Sequence, residues 1–470
     1  MKIEQIYTGC ISHAAYYIES KGEAAIFDPL REVQPYIDRA AIDHAKIKYV
    51  FETHFHADFV SGHLDLAKKT GAQIVYGPTA KPNFEAIIAI DDQLFKIGDY
   101  TIKVIHTPGH TMESTTYLLI DENGKEHALI TGDTLFIGDV GRPDLAQHVI
   151  AELTQEILAE HLYDSLRNKI MPLSDNLIVY PNHGAGSACG KKMSKETTDT
   201  LGNQKRTNYA LRPDMTKAEF VKEVLTGLTN PPGYFPKNVL MNIHGYESLD
   251  VVIERASNPL NPDDFELIAN ETEALILDTR NPEEFSKGFI PNSINIGLDG
   301  SFASWVGEMI PDIKQEILLV ADPGREKEAV IRLSRVGYDF TVGYLEGGFK
   351  SWWNNKKEVD EVNRISASEL EKLYTSQPVI IDVRRKSEYE SEHVKNAINI
   401  PLNKINQHLS EFPKDKKFYL YCAGGYRSMI AASILKSRGW EDFVDIEGGF
   451  SAISETTIPK SEYVCPTTLL

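Results

Sequence analysis

The stretch Thr53-His54-Phe55-His56-Ala57-Asp58 sets two imidazoles and a carboxylate on alternate positions, directly after the apolar run Tyr49-Val50-Phe51-Glu52. Further histidines and an aspartate stand at comparable places. His106-Thr107-Pro108-Gly109-His110-Thr111 follows TIKVI, Gly132-Asp133-Thr134 follows HALIT, and His183 follows IVYP. Donors carried on several strand ends can converge on one metal ion. One such histidine alone would be an ordinary core or surface group. An HxHxD run with three matching partners points to a metal site.

A second chemical site lies near the far end of the chain. Tyr421-Cys422-Ala423-Gly424-Gly425-Tyr426-Arg427-Ser428 follows the strand-like FYLY and opens the helical run MIAASILKSRG. A cysteine at a strand end, a glycine loop and a helix N-terminus make an anion cradle. Such a field lowers a thiol pKa and favours thiolate or a bound persulfide. Arg427 is placed to hold a sulfur oxyanion and Ser428 to donate to it. The plainer alternative is a buried structural thiol beside a turn.

Two kinds of scaffold must position these groups. Up to about residue 235, short strands (AYYIE, EAAIFD, IKYVFE, AQIVYG, YTIKVIH, TTYLLI, HALITGD, NLIVYP) are joined by few helices. That pattern predicts two mixed sheets with helices outside, an αββα sandwich. Asp58 reads as the acid opening a helix that runs to Gly71. Asn230-Pro231-Pro232-Gly233-Tyr234-Phe235-Pro236 is read as excluding regular helix, and the first domain is closed a little beyond it. The remainder repeats itself: LILDTR, SINIGL and LEGGF return as VIIDVR, AINIPL and IEGGF. Asp278 thereby pairs with Asp382 and Asn295 with Asn399. Each copy alternates β-branched runs with amphipathic helices, which predicts a parallel α/β sheet. The expected domains are 1–245, 255–358 and 362–458, an α/β multi-domain chain.

Bulk properties bound the function. The chain has 470 residues, about three domains at roughly 150 each. Lys plus Arg is 49 against 68 Asp plus Glu, a formal charge of −19, so neither nucleic acid nor an anionic membrane surface is an expected partner. No apolar run is long enough to span a bilayer, and no signal peptide is expected. Four cysteines in this length are no disulfide framework and read as reduced thiols, so a cytoplasmic location is expected.

The order HxHxD, HTPGHT, GDTLF and a late His183 resembles the metallo-β-lactamase fold superfamily in its glyoxalase II-like branch. That family's first motif ends in a histidine where this chain has Phe59. In two-metal members the imidazole helps hold the second ion, so one metal is expected here. The stretch Gly132 to Asp144, GDTLFIGDVGRPD, resembles the persulfide dioxygenases of that branch. The resemblance implies one Fe(II) held by His54, His110 and Asp133, with Zn²⁺ possible on purification. It leaves His56, Asp58, His183 and Arg142 to orient ligands, water or substrate. His106 and Thr107 read as scaffold, and Asp28 in IFDP as a structural turn residue.

The DVR, AINIPL and IEGGF runs resemble the rhodanese, or thiosulfate sulfurtransferase, family. The second copy carries its C-x-x-G-x-R-[ST] loop, which implies Cys422 as persulfide carrier with Arg427 and Ser428 at its side. The first copy has no cysteine. Aligning Arg325 with Arg427 sets Val320 opposite Cys422 and Glu326 opposite Ser428, so this copy is expected to be inactive. Cys189 reads as a buried thiol that could lie near the metal as an accessory thiol, Cys10 as packing, and Cys465 carries no assignment.

The two resemblances together imply a persulfide dioxygenase–rhodanese fusion. Its expected partners are a low-molecular-weight thiol persulfide, O₂ and sulfite or thiosulfate. A homo-oligomer, dimer or tetramer, is also expected. A glyoxalase II-like thioester hydrolase fused to a sulfurtransferase is the alternative.

Overall fold

A computed structural model describes residues 2–145, 153–228 and 230–465. The chain divides into two compact units, residues 1–251 with 333–337, and 252–332 with 338–470.

In the first unit, β1 (Lys2–Thr8), β2 (His13–Ser20), β3 (Glu23–Phe27), β4 (Lys46–Phe51), β5 (Gln73–Tyr76) and β6 (Ile87–Ile88) form one sheet in that order. A second sheet has the order β12-β11-β10-β9-β8-β7. Its strands are β7 (Leu94–Ile97), β8 (Tyr100–His106), β9 (Thr115–Ile120), β10 (Glu126–Gly132), β11 (Ile178–Pro181) and β12 (Asp199–Thr200). The period of two decides which side chains meet between the sheets. Tyr16, Ile18, Phe27 and Phe51 face Ile102, Val104, Tyr117 and Leu119 there. Their neighbours Ala15, Tyr17, Ile26 and Val50 turn outward onto the helices Gln34–Ile42 and His63–Thr70. Leu118 and Leu129 pack outward against Leu162 and Phe220, from the helices Gln155–Ser165 and Lys217–Leu225. Both faces of both sheets are therefore buried, which is the αββα architecture. Each buried Leu or Phe contributes about 1.5–3 kcal/mol through the surface it removes from water.

Two local expectations change. Asp58 does not open a helix. The helix begins at His63 after Gly62, and Glu52 to Ser61 form an irregular loop tied down by side-chain hydrogen bonds described below. The proline-rich stretch ends inside a helix, Phe235–His244, with Pro236 in its first turn. A proline is tolerated there because its missing N–H would have no intrahelical partner.

The second unit holds both repeats, each a five-stranded parallel sheet. β13 (Pro259–Leu260), β14 (Leu275–Asp278), β15 (Ile294–Asn295), β16 (Ile317–Val320) and β17 (Thr341–Leu345) take the order β13-β17-β16-β14-β15. β18 (Arg364–Ile365), β19 (Val379–Asp382), β20 (Ile398–Asn399), β21 (Phe418–Tyr421) and β22 (Phe443–Ile446) take the equivalent order β18-β22-β21-β19-β20. Asp278 pairs with Val320 and Asp382 with Tyr421. This register sets Ala321, not Val320, opposite Cys422. The alignment on the arginines failed because the first repeat's loop is one residue longer before its helix starts at Glu326. Among the described residues no helix is long and apolar enough to cross a membrane.

Candidate metal centre and sulfur-transfer loop

The metal site is built on Asp28, which follows β3 with a positive φ of 48°. Its buried carboxylate accepts the Thr53 N–H at 2.7 Å, His56 Nε2 at 2.9 Å and Asn182 Nδ2 at 2.9 Å. Its carbonyl lies 2.8 Å from His13 Nε2. One turn residue thus joins β2, the HxHxD loop and the end of β11. Asn242, from the helix after the proline-rich stretch, closes the loop's other side. Its Nδ2 donates to the carbonyls of His56 at 2.8 Å and Phe59 at 2.9 Å, and its Oδ1 accepts the Ser61 N–H at 2.9 Å.

These bonds settle which imidazole nitrogens are bare. A carbonyl can only accept, so the ring nitrogen facing it carries the proton. His110 Nδ1 donates to the Arg142 carbonyl at 2.8 Å and His183 Nδ1 to the Ser12 carbonyl at 3.0 Å. His56 uses Nε2 on Asp28. The lone pairs of His110 Nε2, His183 Nε2 and His56 Nδ1 are left for a ligand. His54 Nδ1 meets Thr53 Oγ1 at 3.0 Å, which leaves its Nε2. Tying the second ring nitrogen is how proteins orient metal-binding histidines.

The free atoms converge. Asp133 Oδ2 lies 3.8 Å from His54 Nε2 and 3.4 Å from His110 Nε2. Its other oxygen, Oδ1, lies 3.5 Å from His183 Nε2, and that nitrogen is also 3.5 Å from Asp58 Oδ2. His54, His110 and Asp133 offer donors within 4.8 Å of one another, all buried. Bonds of about 2.0–2.2 Å to one ion need separations of this size. Both Asp133 oxygens, Asp58 Oδ1, His56 Nδ1 and His183 Nε2 are buried without a hydrogen-bond partner. Orphaned polar atoms of this kind cost free energy that a cation removes. The residues present therefore fit a divalent metal. Burial, followed by the neighbouring His56 and His110, holds His54 well below the usual imidazole range. It is neutral, as a ligand must be.

Arg142 makes a bidentate ion pair with Asp144 at 2.7 Å and donates to the Ala188 carbonyl at 3.2 Å. It braces the loop that follows His183. Gly141 allows this chain path. A Cβ there would lie 2.0 Å from the Asp133 carbonyl oxygen and 3.0 Å from His110 Nδ1. Cys189 sits on the braced loop, buried, near Asp58 and His183. Beside His110 opens a cavity of about 280 Å³ lined by Phe55, Ala57, Met112, Val239 and Ile243. Phe55 and Ala57 alternate with the histidines, so one short loop lines the pocket and feeds the metal site.

At the other site Gly425, with φ 101°, caps the helix Tyr426–Ser437, and its N–H donates to Cys422 Sγ at 3.1 Å. One loop N–H thus meets a buried thiol at the start of the helix. Arg427 forms a bidentate pair with Glu388 at 2.6 and 2.7 Å, and Ser428 Oγ donates to the Gly425 carbonyl at 3.2 Å. An oxyanion at the loop thus competes with Glu388 for Arg427, and Ser428 supports the loop from below. In the first repeat Arg325 is paired with Asp299 and Glu328.

Sequence reasoning missed His13, Asn182 and Asn242. Asn182 stands next to His183. His13 packs 4.2 Å, ring to ring, from Phe59. Asn242 gives no sequence signal, because its role exists only once the helix crosses the loop.

Comparison with known proteins accords with this geometry. Residues 8–161 match the metallo-beta-lactamase superfamily, and residues 261–355 and 366–456 match the rhodanese-like domain. A solved metallo-beta-lactamase from Staphylococcus aureus subsp. aureus COL is 32% identical, with TM-score 0.64, over 73% of this chain and 98% of that one. A hydroxyacylglutathione hydrolase of Dictyostelium discoideum is 33% identical over 39% of this chain, which spans 66% of that protein's length. An adenylyltransferase and sulfurtransferase, uba4, of Ogataea parapolymorpha is 34% identical over 23% of this chain and 28% of its own. The chain belongs to the metallo-β-lactamase superfamily, with two rhodanese-like domains following its metal-binding domain.

Proposed function

We propose that the chain is a non-haem Fe(II) persulfide dioxygenase joined to a thiosulfate sulfurtransferase. The observation that carries the reading is the donor set His54, His110 and Asp133, two imidazoles and one carboxylate. Phe59 stands where two-metal relatives have an imidazole, and a Cys422 loop lies in the same chain. Fe(II) in such a set keeps open positions and supplies O₂ activation. The chain's own residues do the rest. Asp28, Arg142 and Ser12 hold His56, His110 and His183 in their ligand-ready tautomers, and the Thr53 hydroxyl lies against His54 Nδ1. The cavity beside His110 receives a low-molecular-weight thiol persulfide, and its apolar wall excludes bulk water from the terminal sulfur. One persulfide, one O₂ and one water give thiol, sulfite and two protons. Cys422 carries sulfane sulfur as a persulfide. Transfer to sulfite breaks its S–S bond and yields thiosulfate and the free thiolate.

Thioester hydrolysis is the second reading, favoured by the hydroxyacylglutathione hydrolase relatives. The deciding experiment loads the protein anaerobically with Fe(II), adds glutathione persulfide, and measures O₂ uptake, sulfite and thiosulfate. Uptake with either product supports the dioxygenase. No uptake with several persulfides, together with hydrolysis of glutathione thioesters by zinc-loaded protein, replaces it with the hydrolase. The expected homo-oligomer and cytoplasmic location belong to this reading and are checked by light scattering and fractionation.

A further inference from the structure

We propose that Arg364 and Asp445 are positioning residues for the Cys422 loop, an ion pair that fixes the helix start from which a backbone N–H reaches the sulfur. This role rests on Cys422 as the sulfur carrier. The two residues stand opposite one another on β18 and β22, and Arg364 Nε donates to Asp445 Oδ2 at 3.0 Å. Asp445 is buried, and the pair touches both ends of the turn that opens the helix Tyr426–Ser437. A Cβ on Gly425 would lie 3.9 Å from Arg364 Nη2, so the guanidinium stands against the left-handed residue whose N–H donates to Cys422 Sγ. The Ser428 hydroxyl, which donates to the Gly425 carbonyl, lies by the Asp445 carboxylate and favours its charged form. Glu447, on the turn after β22, is the other charged neighbour, with its carboxylate 3.9 Å from Arg364 Nη1. On β21 the residue opposite Asp445 is the apolar Leu420. Burial pushes the Asp445 carboxyl up to about 6, against the pull of Ser428 and Arg364. It is therefore ionised across the range above pH 7 in which thiols titrate. The first repeat is an internal comparison. At the equivalent register, β13 and β17 pair Pro259 with Tyr344, and no cysteine follows β16. Burying a charge on a strand costs free energy even when it is paired. Of the two copies, the one that bears this cost is the one whose loop carries a thiol.

The test follows the Cys422 thiol in the full chain. Alkylation by iodoacetamide is measured against pH, and the tryptic peptide 418–427, which holds Cys422 and no other cysteine, is quantified by mass spectrometry. Asp445→Asn removes a negative charge near the sulfur, so a field effect alone would lower the alkylation midpoint. Lost positioning takes the N–H away from the thiolate and raises it. The expected result is a rise of about one pH unit. The double variant Arg364→Gln, Asp445→Asn removes one charge of each sign and leaves neither partner unpaired, so it carries the test should Asp445→Asn fold poorly. The same rise is expected there. A midpoint unchanged or lowered in either variant, with the fold retained by circular dichroism, overturns the proposal. Absence of thiosulfate:cyanide sulfur transfer from the unaltered protein, with the midpoint raised in the variants, rejects the carrier reading and leaves the pair's hold on the thiol standing.

Discussion

Replacing one sulfur by oxygen at Cys422 separates the two chemistries. Cys422→Ser keeps the loop geometry but removes the persulfide carrier. Thiosulfate:cyanide sulfur transfer is expected to fall about 10³-fold or more, with O₂ uptake on supplied persulfide unchanged. His110→Ala should do the reverse, cutting metal content and O₂ uptake while sulfur transfer continues. Loss of O₂ uptake in Cys422→Ser would show that the two sites are not separate. Asp28 makes a subtler prediction. It stands outside the His54, His110 and Asp133 donor set, and its carboxylate orients His56 and fixes the Thr53 backbone. Asp28→Asn should weaken metal affinity about 10–100-fold, read by competition with a chromophoric chelator, with the fold retained by circular dichroism. Much at this scale was legible in the sequence. The donors are histidines and an aspartate at strand ends, and strand ends are where such groups can meet. The clamps were not legible. An asparagine such as Asn242 has no chemistry of its own, and its bonds to the His56 and Phe59 carbonyls depend on a helix crossing that no local pattern encodes.

Elements decide how firmly these residues are held. Strand alternation was readable where one set of side chains meets between the sheets, as Tyr16, Ile18, Phe27 and Phe51 do. Short pairings such as β6 and β12, two residues each, carry too little pattern to be seen. Register in the first repeat was misread by one position, since an arginine near a helix start is a weaker marker than the β14–β16 ladder. The two repeats meet at the helix Tyr426–Ser437. Tyr426 donates its hydroxyl to the Gly297 carbonyl at 2.7 Å, and Ser433 Oγ accepts the Asn295 N–H at 3.0 Å. A Cβ on Gly300 would lie 2.6 Å from the Tyr426 ring. The first repeat therefore buttresses the residue next to Arg427, although it has no nucleophile. Gly300→Val should displace the ring and slow sulfur transfer several-fold, while O₂ uptake and metal content stay at the unaltered level. Unchanged transfer rates would mean that the contact stabilises the fold without positioning the loop.

Covalent linkage matters at the scale of the whole chain only if the product of one site is the substrate of the other. Under the proposed function, sulfite leaves the metal site and Cys422 persulfide consumes it. A tether holds the partner site at an effective concentration that does not fall on dilution, whereas separate molecules are diluted together. The comparison that exposes this uses the intact protein and an equimolar mixture of Cys422→Ser and His110→Ala chains. One intact chain and one pair of variant chains each contain one working copy of each site, so the samples are matched at that ratio. With glutathione persulfide supplied, the intact chain should release thiosulfate as its main product even as protein is diluted. The mixture should shift toward free sulfite over the same dilution, with the same total sulfur oxidised. Because an oligomer can bring the two variants together, the mixture is prepared from separately purified proteins and checked for subunit exchange. Equal thiosulfate-to-sulfite ratios at every dilution, without exchange, would show that sulfite equilibrates with solvent before it is captured. The fusion would then serve co-production of the two activities.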